Sequence, residues 1–337
     1  MSFSSQQKVE RKILAILKVL SVMQKPVGSV VIAKHLKERG VDISERAVRY
    51  HLRLTDERGL TELVRDRDGR IITDKGLHEI QSALVNDKVG LSISHIEQLA
   101  YRSNIDLKNK SGMVPVNVSF IYTKNFRAAC DFMIPVFEKG LCVSELVSVT
   151  PGGEYIGEIL VPEDCTGIAT VCSIALNSAF LKAGIPVESR FGGILQMRDG
   201  KPVRFTEMIH YSGSSLDPSE IFIKAKMTSV REATFNGQGE ILANFREIPA
   251  ICQPAAEGII QDLKDAGFNS IVEIGNISED VCEINVDLNK IGMVLMGGLN
   301  PVAAAAEAGI ESDNYSMSTI IDYAKLNHYK EVLRGTS

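Results

Sequence analysis

The chain has 337 residues, 45% of them hydrophobic, enough for two or three domains with sizeable cores. Its net charge of −5 at pH 7 gives no general affinity for polyanions, but the charge is unevenly spread. Residues 1–85 carry 16 Lys and Arg against 11 Asp and Glu, and the rest carries 21 against 31, so a basic head that can meet a polyanion precedes an acidic body with another task.

The six cysteines (Cys130, Cys142, Cys165, Cys172, Cys252, Cys282) form no C-x-x-C pair and sit in apolar or mixed runs. They read as reduced core residues of an intracellular protein. No apolar run follows a basic start, and no stretch is long and charge-free enough to span a bilayer, which gives a soluble, cytoplasmic expectation.

Residues 9–23 place Ile13, Leu14, Ile16, Leu17, Leu20 and Met23 on a wide helical stripe. Pro26-Val27-Gly28 breaks it, and Ser29 can cap a second helix carrying Ile32, Ala33 and Leu36 inward before Gly40. A short turn leads to Ser44, an N-cap for a third helix in which Val48, Leu52 and Thr55 face inward. Arg46, Arg49, Tyr50 and Arg53 fall on its outer surface, where arginines can meet guanine edges or phosphates. Alone, this is also the pattern of a solvated basic helix.

Gly59 closes the third helix. Two apolar runs, 60–64 and 71–72, then flank Asp68-Gly69, the mark of a type I′ hairpin. Arg65, Arg67 and Arg70 lie near its tip, within reach of phosphates or a minor groove. Thr73 caps a further helix to about residue 84. Helix, helix-turn-helix, wing, helix is the order of a winged helix-turn-helix, and the head resembles archaeal and bacterial winged-helix transcription regulators. Ser44, Arg46, Arg49, Tyr50, Arg53, Arg65, Arg67 and Arg70 are its expected DNA-binding residues.

Residues 86–112 read as a linker with a short docking helix at 93–101, which leaves 1–85 as the DNA-binding domain and 113–337 as a regulatory domain. In the body, 114–122 alternates as a strand and 125–139 is amphipathic, followed by a strand at 143–149. A helix is expected from near Thr166 to Ala183-Gly184. Residues 192–197 and 203–209 flank Asp199-Gly200 as a second hairpin. Strands are expected at 221–225, 240–246, 270–274 and 292–296, and helices at 255–266, 301–308 and 316–326. Three helices share the ending Ala-Gly-apolar, at Gly184, Gly267 and Gly309, each a Schellman-type stop. The fold class is mixed α/β (α+β): an N-terminal winged helix-turn-helix plus one ligand-sensing domain.

The body carries no P-loop, H-E-x-x-H or G-x-S-x-G signature. Gly237-Gln238-Gly239 precedes a strand, not a helix, and lacks the later glycine of a dinucleotide fingerprint. His210 reads as a strand-end residue, and Cys172 has no local support as a nucleophile. No metal and no cofactor are expected. What the body does have is glycine- and hydroxyl-rich turns near cations, the equipment for a small dicarboxylate. The Asp164–Ser173 stretch, read as opening a helix, supplies amides for an anion. The effector-binding candidates are Thr166, Thr170, Cys172, Arg190, Arg204, Ser214, Ser215, Arg246 and Asn300.

Several strings now combine: Gly167-Ile168-Ala169-Thr170-Val171-Cys172-Ser173, Gly184-Ile185-Pro186-Val187, Arg190-Phe191-Gly192-Gly193, Ser215-Leu216-Asp217-Pro218, Arg246-Glu247-Ile248-Pro249-Ala250 and Gly297-Gly298-Leu299-Asn300-Pro301. Together they resemble the regulatory domain of the NrpR family of archaeal nitrogen-regulation repressors, and the resemblance extends over nearly the whole chain. Some members carry two tandem regulatory domains, whereas this chain has room for one. The resemblance implies a homodimeric repressor of nitrogen-fixation and ammonia-assimilation genes on an inverted-repeat operator in double-stranded DNA. It further implies release by 2-oxoglutarate and, in single-domain members, a headless paralogue as corepressor. Two other readings are an enzyme acting on a small 2-oxo acid fused to an autoregulatory head, and a body that serves only assembly. The missing nucleophile–base or metal constellation makes the non-enzymatic reading the expectation.

Overall fold

The computed structural model describes residues 3–23, 25–38, 41–64, 69–82 and 91–334. The chain splits into two compact units, Met1–Val89 with Glu158–Leu160, and Gly90–Gly157 with Val161–Ser337. Among the described residues no helix is long and apolar enough to cross a membrane.

The first unit runs α1 (Phe3–Met23), α2 (Ser29–Glu38), α3 (Glu45–Glu57), β1 (Thr61–Val64), β2 (Gly69–Ile72) and α4 (Asp74–Ser82). Ile16 and Leu20 of α1 pack with Ile32 and Leu36 of α2 and with Val48 and Leu52 of α3. Each such side chain contributes roughly 1.5–3 kcal/mol by leaving water. Ser44 caps α3 by accepting from the Ala47 amide at 3.3 Å. Gly59 (φ +69°) ends it, with the Leu60 amide donating back to the Thr55 carbonyl at 2.8 Å.

The wing differs from the expected type I′ corner. Val64 pairs with Gly69, so the strands are joined by Arg65–Asp68 and Gly69 is a strand residue. Gly69 answers a close approach: a Cβ there would stand 2.8 Å from the Pro26 carbonyl carbon and the Val27 nitrogen. Arg65 and Arg67 lie outside the described residues.

The second unit begins with α5 (Leu91–Arg102), β3 (Met113–Tyr122), α6 (Thr123–Glu138), β4 (Leu146–Thr150), β5 (Cys165–Val171), α7 (Ile174–Lys182), β6 (Glu188–Arg198) and β7 (Lys201–His210). It continues with α8 (Pro218–Lys224), α9 (Val230–Asn236), β8 (Gly239–Pro249), α10 (Gln253–Asp265), β9 (Ile271–Ile277), β10 (Lys290–Met296), α11 (Asn300–Glu307), β11 (Ser312–Asp322), β12 (Asn327–His328) and α12 (Tyr329–Val332). Two five-stranded antiparallel sheets have the orders β11-β3-β5-β4-β12 and β9-β10-β8-β6-β7. The helix expected in the linker is α5, which packs inside this unit, with Ile96 and Leu99 beside Cys172, Tyr211 and Met317.

Three expectations are overturned. The stretch from Thr166 is strand β5, not a helix: every residue is buried, so a central strand shows no alternation. Residues 221–224 belong to helix α8, which Asp217 caps and Pro218 starts, and Ala225 is its C-cap. Residues 316–322 belong to strand β11, where buried Met317, Thr319 and Ile321 recur at period two. Asp199 (φ +51°) and Gly200 (φ +72°) do form the primed turn between β6 and β7. All three Ala-Gly-apolar stops also form, for example with Ile310 N donating to Ala305 O at 3.2 Å.

The unit is internally duplicated. β3-α6-β4-β5-α7-β6 and β8-α10-β9-β10-α11-β11 repeat one βαββαβ order, and the final strand of each half joins the other half's sheet, beside that half's first strand. The register is matched: Cys172 N donates to Pro115 O at 2.9 Å, and Gly297 N donates to Leu242 O at 2.8 Å. Asn117 therefore corresponds to Asn244, Ser119 to Arg246, and Ser173 to Gly298.

Candidate nucleic-acid interface and a buried cationic cavity

In the first unit, burial of Val48, His51, Leu52 and Thr55 fixes the rotation of α3. Arg46, Arg49, Tyr50 and Arg53 are left exposed on the opposite surface, Tyr50 by 54%. Arg49 Nη2 lies 3.7 Å from Glu45 Oε1, one turn back, a contact that water weakens. Ser44 is exposed, and its hydroxyl is used as the helix cap.

Arg70 is not a free group of the wing tip. Its Nε donates to Asp56 Oδ2 at 2.7 Å, and its backbone exchanges two 3.0 Å hydrogen bonds with Val27. Asp56 also accepts from Thr61 Oγ1 at 2.5 Å. Arg70 thus ties the wing to α3.

The second unit holds a cavity lined by Ile96, Asn117, Cys172, Ser173, Ile174, Tyr211, Asp217, Ser219, Asn244, Arg246, Gly298, Leu299, Ser316 and Met317. Both halves of the duplication meet there, each with the end of its third strand, the start of its second helix and an asparagine of its first strand. Neither α7 nor α11 has a side-chain cap at its start. A Cβ on Gly298 would run into the Asn117 amide and the Val171 carbonyl, so only glycine lets the two halves close this wall.

Arg246 dominates the site. It is 1% exposed. Its Nη1 donates to Ser173 O at 2.9 Å and to Asn177 Oδ1, and its Nη2 donates to Ser173 Oγ at 2.9 Å. The Nε has no partner, and among the described residues no carboxylate pairs with the guanidinium. Burial pulls its pKa below the ordinary value. Beside it, Tyr211 Oη donates to Asn244 Oδ1 at 2.5 Å, and Asn244 Nδ2 donates to Ser173 Oγ at 3.3 Å. The Cys172 thiol is pushed up to about 11 by burial, which makes it a small apolar wall and not an activated nucleophile.

Of the effector candidates, Cys172 and Arg246 line the cavity. Thr170 stands behind it, its Oγ1 accepting from Asn117 Nδ2 at 3.4 Å. The others lie elsewhere. Thr166 meets Thr123 at the far end of β5, and Arg190 pairs with Glu247. Arg204 is exposed on the edge strand β7. Ser214 bonds the Leu216 backbone, and Ser215 follows it in the same loop, outside the cavity lining. Asn300 clamps Leu242 through its amide N (2.8 Å) and carbonyl (3.1 Å). Asn117, Ser173, Tyr211, Asp217 and Asn244 are further cavity residues, outside that candidate set. An amide flanked by apolar neighbours, as at Asn117 and Asn244, is the signal available for two of them.

Comparisons with known proteins cover both units. Residues 89–328 match the family model for NrpR regulatory domains NRD1 and 2, and residues 14–80 match the ribonuclease R winged-helix domain. A protein of Methanosarcina mazei named global nitrogen regulator NrpRI is 38% identical over 315 residues, covering 94% of this chain and 97% of the relative. A Methanocaldococcus jannaschii protein named global nitrogen regulator NrpR is 33% identical over 325 residues, which span 96% of this chain and 56% of that longer protein. A crystal structure described as a nitrogen repressor-like protein from Methanococcus jannaschii superposes with a TM-score of 0.60 at 28% identity, over 71% of this chain and 98% of that one.

Proposed function

The chain belongs to the NrpR family, whose model matches most of its length, and from that premise we propose that it is a DNA-binding repressor of nitrogen-fixation and assimilation genes that 2-oxoglutarate releases from its operator. The observation that carries the DNA-binding part is the exposure of Arg46, Arg49, Tyr50 and Arg53 above the buried Val48–Leu52 side of α3. Such a helix offers bidentate donors to base edges and phosphates. Two copies on an inverted repeat present two such helices.

The effector part rests on Arg246. A guanidinium removed from water without a counter-ion is costly, and an anion that enters the cavity offsets that cost. Asn117, Asn244 and Ser173 line the cavity and supply neutral hydrogen bonds. A ligand with two acidic ends and a carbonyl uses all of these. Such a ligand releases DNA only by binding more tightly to the DNA-incompetent state, since equal affinity for both states shifts nothing.

Gel-shift titration of the operator at fixed salt, with and without 2-oxoglutarate, tests the proposal. The expected result is weaker operator binding in its presence. Unchanged affinity, together with no heat on calorimetric titration of the ligand, would leave the body as an assembly domain.

A further inference from the structure

The cavity that holds Arg246 also holds a carboxyl group. Asp217 lines the wall, and its Oδ1 accepts from the Ser219 and Glu220 amides at 2.8 and 3.4 Å at the start of α8. It forms no ion pair with Arg246, so its charge is not cancelled by the site's one buried cation. A dicarboxylate entering this space brings two negative charges toward one guanidinium and one aspartate.

The groups around Asp217 do not absorb that excess. Glu220 on the same helix accepts from Ser316 N at 2.7 Å, and the Ser316 side chain of β11 bonds Asp217. Tyr315, from the same strand, lies near Glu220 and Asp313. Tyr211 and Cys172 are both held neutral by burial, and Arg246 acts on both of them. His95 of α5 shares a 2.5 Å hydrogen bond with the Met317 carbonyl on the cavity wall. Both residues are half-buried; desolvation raises the Asp217 carboxyl against the pull of its two amides and of the Ser316 and Ser219 hydroxyls, and raises Glu220 to about 7, with the Asp217 charge adding to the effect.

We propose that Asp217 sets the charge class of ligand the cavity accepts: in the effector complex it is protonated and donates a hydrogen bond to an oxygen of the dicarboxylate, the proton coming from solvent. An ionised Asp217 opposite Arg246 would instead suit an α-amino acid, with its ammonium on the aspartate and its carboxylate on the arginine. One proton thereby separates a 2-oxo acid from its 2-amino counterpart. This inference rests on the effector reading of the cavity.

The test is calorimetry of the full chain with 2-oxoglutarate between pH 6 and 9, in buffers of different ionisation enthalpy, with glutamate as the second ligand. The carboxylates of 2-oxoglutarate are ionised throughout that range, so any pH slope belongs to the protein. The expected result is a Kd that rises with pH, approaching about tenfold per unit, with close to one proton taken up per ligand at the alkaline end. Asp217→Asn, which retains a good helix cap, is expected to bind with a flat pH profile, and Glu220→Gln to keep the slope. Proton-independent binding by the unaltered chain, a slope that survives Asp217→Asn, or glutamate binding that weakens as the pH rises would overturn the proposal. Absence of heat with 2-oxoglutarate at every pH would remove the effector reading itself, and this proposal with it.

Discussion

The arginines of α3 and Arg246 carry the same charge in opposite surroundings. Arg46, Arg49 and Arg53 stand in water, where a cation is cheap, its contacts are weak, and salt competes for every phosphate. Arg246 is sealed in, held by neutral oxygens, and has no ion to exchange with. The first arrangement suits a long polyanion that must be found and left again. The second suits one small anion that alters the energy of the fold that encloses it.

Substitutions can break this contrast. The largest effect is expected from Arg246→Met, which keeps the side chain's bulk and removes the charge. Affinity for 2-oxoglutarate should fall by about 2–5 kcal/mol in calorimetry, while operator binding without ligand stays as it was. Arg49→Ala should weaken operator binding by about 1–3 kcal/mol in a gel shift and leave the heat of 2-oxoglutarate binding unchanged. The smallest effect is expected from Arg70→Ala. Removing its half-buried pair with Asp56 should lower the melting stability of the first unit by about 1 kcal/mol or less, with little change in the salt slope of DNA binding. A salt slope that fell as much as for Arg49→Ala would return Arg70 to the DNA-contacting set.

Much of the head was legible in the sequence because its signals are local. The phase of Val48, Leu52 and Thr55 fixes the outer arginines, and Ser44 and Gly59 bound their helix. The cavity was far less legible, because its parts come from strands more than a hundred residues apart. β5 has no alternation to read, and the pairing of Asn117 with Asn244 follows from a duplication visible in hydrogen-bond register but not in residue identity. Arg246-Glu247 looks like a self-neutralising pair in the sequence. On a strand, neighbours face opposite ways: Glu247 meets Arg190 and Lys290, while Arg246 turns to the cavity. In the sequence Arg190 and Arg246 look equally available to an anion, and only the partner of Arg190, 57 positions away, tells the two apart.

The exchanged final strands bear on how the protein is made. β3 lies between β5 and β11, so during synthesis one edge of it stays open until the ribosome has delivered residues nearly two hundred positions further on. Until then an apolar strand with unpaired amides is available to any passing chain. A nascent body released early would be sticky on that side, and neither half, expressed alone, would have the means to cover itself.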